Sequence, residues 1–506
     1  MTKQLASSAP DLPHLDLPHM GQVDDPWGGV GEGRLFTGAW VQARGGVIEV
    51  KEPATGRVLT LVGRAEAADV RAAAQAARVA QVDWAARAPT ARAEVVEEAA
   101  RVMGGMADTV VRWLMREAGS AGPKAQVEHQ HALGFLRHAA AMGQEPQGHI
   151  LASVPPRRSV AERVPLGVVG VIAPFNFPLV LALRAVAPAL AAGNAVVLKP
   201  DPRTPVSGGF LIAQAFAAAG LPPGLLHVLP GGADVGQALC ADPDIAMITF
   251  TGSTGAGRAV GELAGRHLKK VQLELGGKNA LVILDDADID LAARNAAWGA
   301  WLHQGQICMS TGRILVHHSL HDDLVTRLAA KARALPVGDP LDGVAIGPLI
   351  DPGQVARVDA IVQASVAAGA RLVAGGTHDG RCYAPTVLAG VTPGMPAFDE
   401  EIFGPVAVVT AFADDDQAVD LANRGQYGLA AGVIGANVDR AVRLGARLRT
   451  GHLHINDQTV VAEPQAPFGG MGASGNGSRI SGPANWDEFT TWRWTTVQPT
   501  APAYPY

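Results

Sequence analysis

The stretch Val168–Lys199, VVGVIAPFNFPLVLALRAVAPALAAGNAVVLK, is the most apolar part of a 506-residue chain. It is long enough for a membrane span, but Pro174, Asn176, Pro178, Arg184, Pro188 and Asn194 interrupt it, so a span is excluded. VVGVI and AVVLK read as strands buried on both faces, and the proline-led segment between them as a helix. The alternation continues to Leu284. Strands are predicted at Val168–Ile172, Ala195–Leu198, Leu226–Leu229, Ala246–Phe250 and Val271–Leu275. Helices are predicted at Pro178–Ala192, Pro205–Ala219, Val235–Cys240 and Gly255–His267. Such a pattern specifies a parallel sheet covered by helices on both faces, with ligands at the C-terminal ends of its strands. Asn176, Lys199, Gly252 and Glu274 stand at those ends.

Working outward, residues 1–30 are rich in Pro, Asp and Gly and read as a tail. Short β-type runs fill Leu35–Val62, followed by helical blocks at Glu66–Ala86, Thr90–Ala118 and Ala125–Gly143. The basic segment 149–164, with Pro155-Pro156 at its middle, reads as a projecting hairpin that packs on another subunit, or as a surface connection. A second alternation runs from Asn279 to about His454, with strands at Ile314–Val316, Arg371–Ala374 and Val406–Phe412. Thr490–Val497, TTWRWTTV, suits strand addition to a partner, with a core strand as the alternative. The expected architecture is α/β, with two doubly wound domains plus a small β oligomerisation element. Residues 31–148 and 165–275 form a dinucleotide-binding domain, 276–484 a catalytic domain, and 149–164 with 485–506 the oligomerisation element. The site should lie between the two domains, and a homodimer or homotetramer is expected.

With 48% apolar and 17% charged residues, a large core forms and global disorder is excluded. The net charge of −6 and the lack of a long basic run argue against nucleic acid. The N-terminal stretch MTKQLASSAPDLPHLDLPHM lacks a basic region followed by an apolar core, so no secretory signal is expected, and no apolar run suits a membrane. Three scattered cysteines offer neither a disulfide framework nor a metal spacing, so no metal and a cytoplasmic location are expected.

Of the three, Cys308 alone follows an apolar helical run directly through a glycine turn, in Trp301–Arg313, WLHQGQICMSTGR. A thiol there can stand at the mouth of a pocket, although a lone cysteine is ordinarily a small buried hydrophobe. A nucleophile needs a base and a donor for the charge it creates. Glu274, in the apolar run VQLELGGKN, is either a paired structural group or a base with a raised pKa. Asn176, in PFNFP, is either a loop cap or an anion-stabilising amide. At Ile248–Gly257 a strand enters a glycine turn and a helix, which favours a pyrophosphate, but Gly252, Gly255, Gly257 and Gly261 do not form the strict dinucleotide fingerprint. Lys199, at a strand end, suits a ribose hydroxyl or phosphate, or is simply solvated.

Seven motifs in order resemble the aldehyde dehydrogenase family across nearly the whole chain. They are PFNFP (174–178), LKP (198–200), FTGST (250–254), LELGGKN (273–279), GQIC (305–308), EIFGP (401–405) and PFGGMGASG (467–475). Within it, LHQGQIC, HVLPGGADVG, EPQAPFGGMGASG and SGPANWDEFT are most similar to bacterial benzaldehyde dehydrogenases. The resemblance implies an aldehyde dehydrogenase-like fold and attack of the Cys308 thiolate on an aldehyde, with the oxyanion held by the Asn176 amide and the Cys308 backbone N–H. It implies hydride loss to NAD and hydrolysis of the thioester by water activated at Glu274. Lys199 and Glu401 would bind ribose hydroxyls, Phe403 would pack near the nicotinamide, and Gly252, Ser253 and Gly257 would contact the pyrophosphate.

One departure bears on the cofactor. Many NAD-preferring relatives carry a glutamate three residues after the strand-end lysine, where this chain has Pro202. NAD is expected, with NADP left open and Arg203 placed to assist it. Phe177, His303 and Phe468 are candidate pocket walls for an aromatic aldehyde, with ordinary core as the alternative. Arg184, in a very apolar helix, suggests a buried ion pair or a reach to the substrate channel. An aliphatic aldehyde or a semialdehyde remains a competing substrate. A CoA-acylating relative would not need Glu274, and a catalytically silent protein would not need Cys308, Glu274 and Asn176 together.

Overall fold

The structure, a computed structural model, describes residues 31–153 and 157–505. The predicted tail at 1–30 lies outside the described residues. The first sheet has seven strands, in the spatial order Lys270–Glu274, Ile245–Thr251, Val168–Ile172, Ala195–Lys199, Leu226–Val228, Arg34–Phe36, Trp40–Gln42. The first five are parallel, as the alternation predicts. The last two add antiparallel at the edge, a pairing that three-residue runs do not announce. VVGVI and AVVLK are buried at every position. The helix between them, Pro178–Ala191, is buried at every residue but Leu181, which explains its lack of a polar face.

Two predicted helices are interrupted. The block Thr90–Ala118 divides into Pro89–Gly105 and Ala107–Glu117, with Met106 between them. Gly104 and Gly105 each cost about 1 kcal/mol relative to alanine inside a helix, which weakens the first helix where it stops. The segment from Pro205 opens as one π-helical turn, Val206–Phe210, before the α-helix Leu211–Ala218. The buried Glu117 carboxylate accepts from the N–H groups of Val206 (2.8 Å) and Ser207 (2.7 Å), satisfying donors at that start.

The second sheet also has seven strands, ordered Arg371–Ala374, Thr386–Ala389, Val406–Phe412, Arg313–His317, Ala280–Ile283, Ala430–Ile434, His452–Ile455. All pair parallel except the edge strand Arg371–Ala374. A third sheet joins Gly148–Ile150, Arg158–Pro165 and Thr490–Val497. Thr490–Val497 pairs along its whole length with Arg158–Pro165 of its own chain, Trp492 opposite Arg163. It occupies an edge of that sheet, with Trp492, Trp494 and Val497 exposed.

Candidate active site

Asn176 follows the strand Val168–Ile172, Gly252 follows Ile245–Thr251, and Glu274 ends Lys270–Glu274, so one rim of the first sheet supplies all three. Cys308 comes from the second half of the chain. The helix Ile289–Trp301 ends in a turn in which His303 (φ 49°), Gln304 (φ 57°) and Gly305 (φ 68°) are all left-handed. Two non-glycine residues in that region store on the order of 1–3 kcal/mol each. Gly305 tolerates no side chain, because a Cβ would lie 2.1 Å from the Gly404 carbonyl oxygen. Gln304 holds the turn by donating to the carbonyls of Gly119 (2.7 Å) and Pro348 (3.0 Å). Asn279 donates to the carbonyls of Cys308 and Ser310, both at 2.8 Å, and fixes the exit.

A cleft of about 710 Å³ lies where these elements meet. Asn176, Gly252, Ser253, Glu274, Cys308, Glu401 and Phe403 line it, seven of the residues singled out in the sequence. Lys199, Gly257, Phe177, His303 and Phe468 stand outside this lining. Lys199 is buried beside its own strand end, where burial lowers its pKa and Asp201 and Asp234 counter it. Gly257 lies in the first turn of the helix Thr254–Arg266, on its buried side, where a Cβ would meet Leu275 at 2.2 Å. Phe177 and His303 pack edge to face at 5.4 Å, and Phe468 lies under the Arg184 guanidinium at 4.3 Å.

Burial pushes the Cys308 thiol up to about 12; Arg184 opposes this, while Glu401 and Glu274 add to it. The thiol is therefore protonated at rest and needs a base. Burial also raises Glu274, to about 8, against the pull of Arg184, Arg479 and the Gln272 amide. Gln272 donates to one oxygen of Glu274 at 2.8 Å, and the other oxygen is buried without a partner. A carboxylate in this state accepts a proton near neutral pH. The Asn176 amide gives one hydrogen to the Gln306 carbonyl at 2.8 Å and keeps a second.

Arg184 forms no close ion pair among the described residues. Instead its guanidinium stacks on Phe468, lies 3.4 Å from the Thr251 hydroxyl, and is influenced by the charges of Glu274 and Cys308. Sequence reasoning also passed over Gln354 and Arg357, which line the cleft and hold the loop 401–404. Gln354 donates to the Phe403 carbonyl at 2.9 Å and Arg357 to that of Glu401 at 2.9 Å, while Phe403 itself is left-handed at φ 57°. Both lie on the helix Pro352–Ala367, where no motif marks them.

The cleft suits a dinucleotide. Ser253 caps the helix Thr254–Arg266 by accepting from Ala256, and a Cβ at Gly255 would meet nothing within 4 Å, so the helix start is open to an anion. Glu401 reaches the opposite wall and accepts from the Gly277 N–H at 3.1 Å. Burial raises Glu401 to about 7. Arg203 is engaged by Asp201 (2.9 Å) and Asp351 (2.6 Å) and lies over the Phe175 ring. A 2′-phosphate reaching it would compete with these two carboxylates. Among the described residues no group of three or more His, Cys, Asp or Glu could hold a metal ion, and no helix is long and apolar enough to cross a membrane.

Two parallel-sheet halves, a cysteine on a strained turn and a facing carboxylate define a class, and residues 40–495 match the aldehyde dehydrogenase family. The chain belongs to that family. It is 53% identical to a vanillin dehydrogenase of Amycolatopsis sp., covering 96% of this chain and 99% of that one. It is 49% identical to a benzaldehyde dehydrogenase [NAD(+)] of Pseudomonas putida, covering 94% and 98%. A salicylaldehyde dehydrogenase of Pseudomonas putida G7, solved with salicylaldehyde, superposes with a TM-score of 0.90 at 36% identity, covering 94% and 99%.

Proposed function

We propose that the cleft oxidises aromatic aldehydes to carboxylic acids with NAD, and that Cys308, Asn176 and Glu274 carry the chemistry. The observation that carries this reading is a half-buried thiol and a buried, half-partnered carboxylate lining one cleft with a free amide hydrogen. Glu274 takes the thiol proton, and Cys308 Sγ attacks the carbonyl carbon to give a thiohemiacetal. The Asn176 amide and the Cys308 backbone N–H hold its oxyanion. NAD, when bound, would accept the hydride lost as the thiohemiacetal becomes a thioester. Glu274, having passed the first proton to solvent, then draws a second from water, whose oxygen attacks the thioester carbonyl. The acid forms, and Glu274 returns that proton to the departing Cys308 sulfur.

Glu401 and Phe403 are proposed to receive the ribose and nicotinamide, Gly252 and Ser253 the pyrophosphate, with Lys199 behind its strand end and Gly257 letting the helix start pack closely on Leu275. The aromatic substrate is supported by the relatives named for vanillin, benzaldehyde and salicylaldehyde. Phe177, His303 and Phe468 then act behind the lining, as supports for the aldehyde end. NAD over NADP is supported by the engagement of Arg203. We further propose a homo-oligomer built on the edge strand Thr490–Val497, whose Trp492, Trp494 and Val497 are exposed. A cytoplasmic setting accords with three free cysteines and a nucleophilic thiol. We also propose the domain partition 31–148 with 165–275, 276–484, and 149–164 with 485–506, supported by the two seven-stranded sheets and the three-stranded one.

Initial rates of NADH and NADPH formation with benzaldehyde, vanillin, salicylaldehyde and hexanal test the reading. A higher kcat/KM for the aromatic aldehydes with NAD is expected. Preference for hexanal would overturn the aromatic assignment, and faster NADPH formation would overturn the cofactor assignment.

A further inference from the structure

The helix Gly122–Ala141 carries Lys124 and Glu128 one turn apart, both buried, and neither enters the chemistry above. The Lys124 ammonium donates to Ser120 Oγ at 3.0 Å, to Glu128 Oε2 at 2.5 Å and to the backbone carbonyl of Asn176 at 2.9 Å. It also lies 4.0 Å over the ring of Phe177. The other oxygen of Glu128 accepts from the N–H groups of Leu179 (3.0 Å) and Val180 (3.4 Å), in the first turn of the next helix. The pair therefore grips the PFNFP loop on both sides of Phe177, with the cation on residue 176 and the anion on residues 179 and 180.

Packing does not account for this arrangement. Burying two charges is costly, and an apolar pair of similar volume commonly joins two helices as well. What an apolar pair cannot do is bond a carbonyl and two N–H groups of a neighbouring loop. Asn176 is thereby fixed at two points, its carbonyl by Lys124 and its side-chain amide by the Gln306 carbonyl of the cysteine loop. One contact comes from each half of the chain.

We propose that Lys124 and Glu128 are positioning residues that aim the Asn176 amide at the oxyanion. This inference rests on the reading of Asn176 as the oxyanion donor. The test uses the full-length enzyme with the paired replacement Lys124→Met with Glu128→Leu, made in the wild type and in Asn176→Ala. Steady-state rates with benzaldehyde and NAD are measured with the thermal midpoint. In the wild-type background kcat should fall about tenfold, with KM for both substrates within about twofold, as expected for a misaimed donor. In the Asn176→Ala background the same replacement should change kcat by less than about twofold, since no donor remains to be aimed.

Unchanged kcat in the wild-type background, or an equal loss in both backgrounds, would overturn the proposal. If Asn176→Ala alone leaves kcat unchanged, the oxyanion reading itself fails, and this result is separable from the others. Should the apolar pair not fold, Glu128→Gln is read in the same two backgrounds by the same criteria. It keeps an acceptor for Leu179 and Val180 while removing the charge that holds the ammonium.

Discussion

The two halves of the chain build the cleft by different means. The first half contributes Asn176, Gly252 and Glu274 from the ends of regular parallel strands, where backbone geometry is ordinary and position follows from topology. The second half contributes Cys308 and Phe403 from loops whose backbones enter the left-handed region at His303, Gln304, Gly305 and Phe403 itself. One rim is fixed by the sheet, the other by strain that Gln304, Asn279, Gln354 and Arg357 hold in place. The base and the oxyanion donor thus ride on the stiffer half, and the nucleophile on the half where small backbone changes cost most.

Replacing the nucleophile tests that division most severely. Cys308→Ala should lower kcat by more than about 10³-fold while leaving NAD affinity intact, read by NADH formation and by fluorescence titration. Persisting turnover would remove Cys308 from the chemistry. On the opposite rim, Glu274→Gln should slow thioester hydrolysis by about 10²- to 10³-fold. A rapid-mixing trace should then show NADH formation slowed as well, because the same carboxylate takes the Cys308 proton. Asn176→Ala should cost about 10²-fold in kcat, the loss of one oxyanion donor.

Gly305→Ala separates the rims by stability. A methyl 2.1 Å from the Gly404 oxygen, on a left-handed backbone, should cost on the order of 2–4 kcal/mol. A substitution on the strand-end rim away from buried groups should cost far less, and equal midpoints would contradict the contrast.

The smallest effect expected is in pH dependence. Glu274 is raised in the folded state to about 8 from an ordinary value near 4.5, so the fold favours its neutral form. Its contribution to stability is complete below the unfolded value and declines as pH rises through about 8. Glu274→Gln carries no such charge, so its thermal midpoint should gain on that of the wild type between pH 5 and pH 9. The thioester-hydrolysis rate of the wild type should rise over the upper part of that window. A midpoint difference that stays constant with pH would show that Glu274 titrates as an exposed carboxylate.

The contrast between the rims also explains how much was legible beforehand. Alternating apolar runs located the five parallel strands of the first sheet almost to the residue, and the strand-end rule drew attention to Asn176 and Glu274. Cys308 was legible as a thiol behind a glycine turn, yet the three consecutive left-handed residues were not, because Gln304 has no preference for that region and a histidine adopts it only occasionally. Gln354 and Arg357 lie on an ordinary helix and act through backbone carbonyls, which leave no mark on the sequence. The Met106 break was foreshadowed only by two glycines. Lys124 stands just before the predicted helix Ala125–Gly143 and Glu128 inside it, and only tertiary contact reveals them as buried.

The closing strand Thr490–Val497 has a consequence in time. Arg163 and Asp487 bond across a sequence separation of 324 positions, and Asn194 reaches the Phe489 carbonyl at 2.9 Å. Contacts this distant form late, after the loop between them has been ordered. During synthesis from the N-terminus, the paired strands Gly148–Ile150 and Arg158–Pro165 wait with one edge open until Thr490–Val497 has been made. The small sheet is therefore among the last parts of the fold to close.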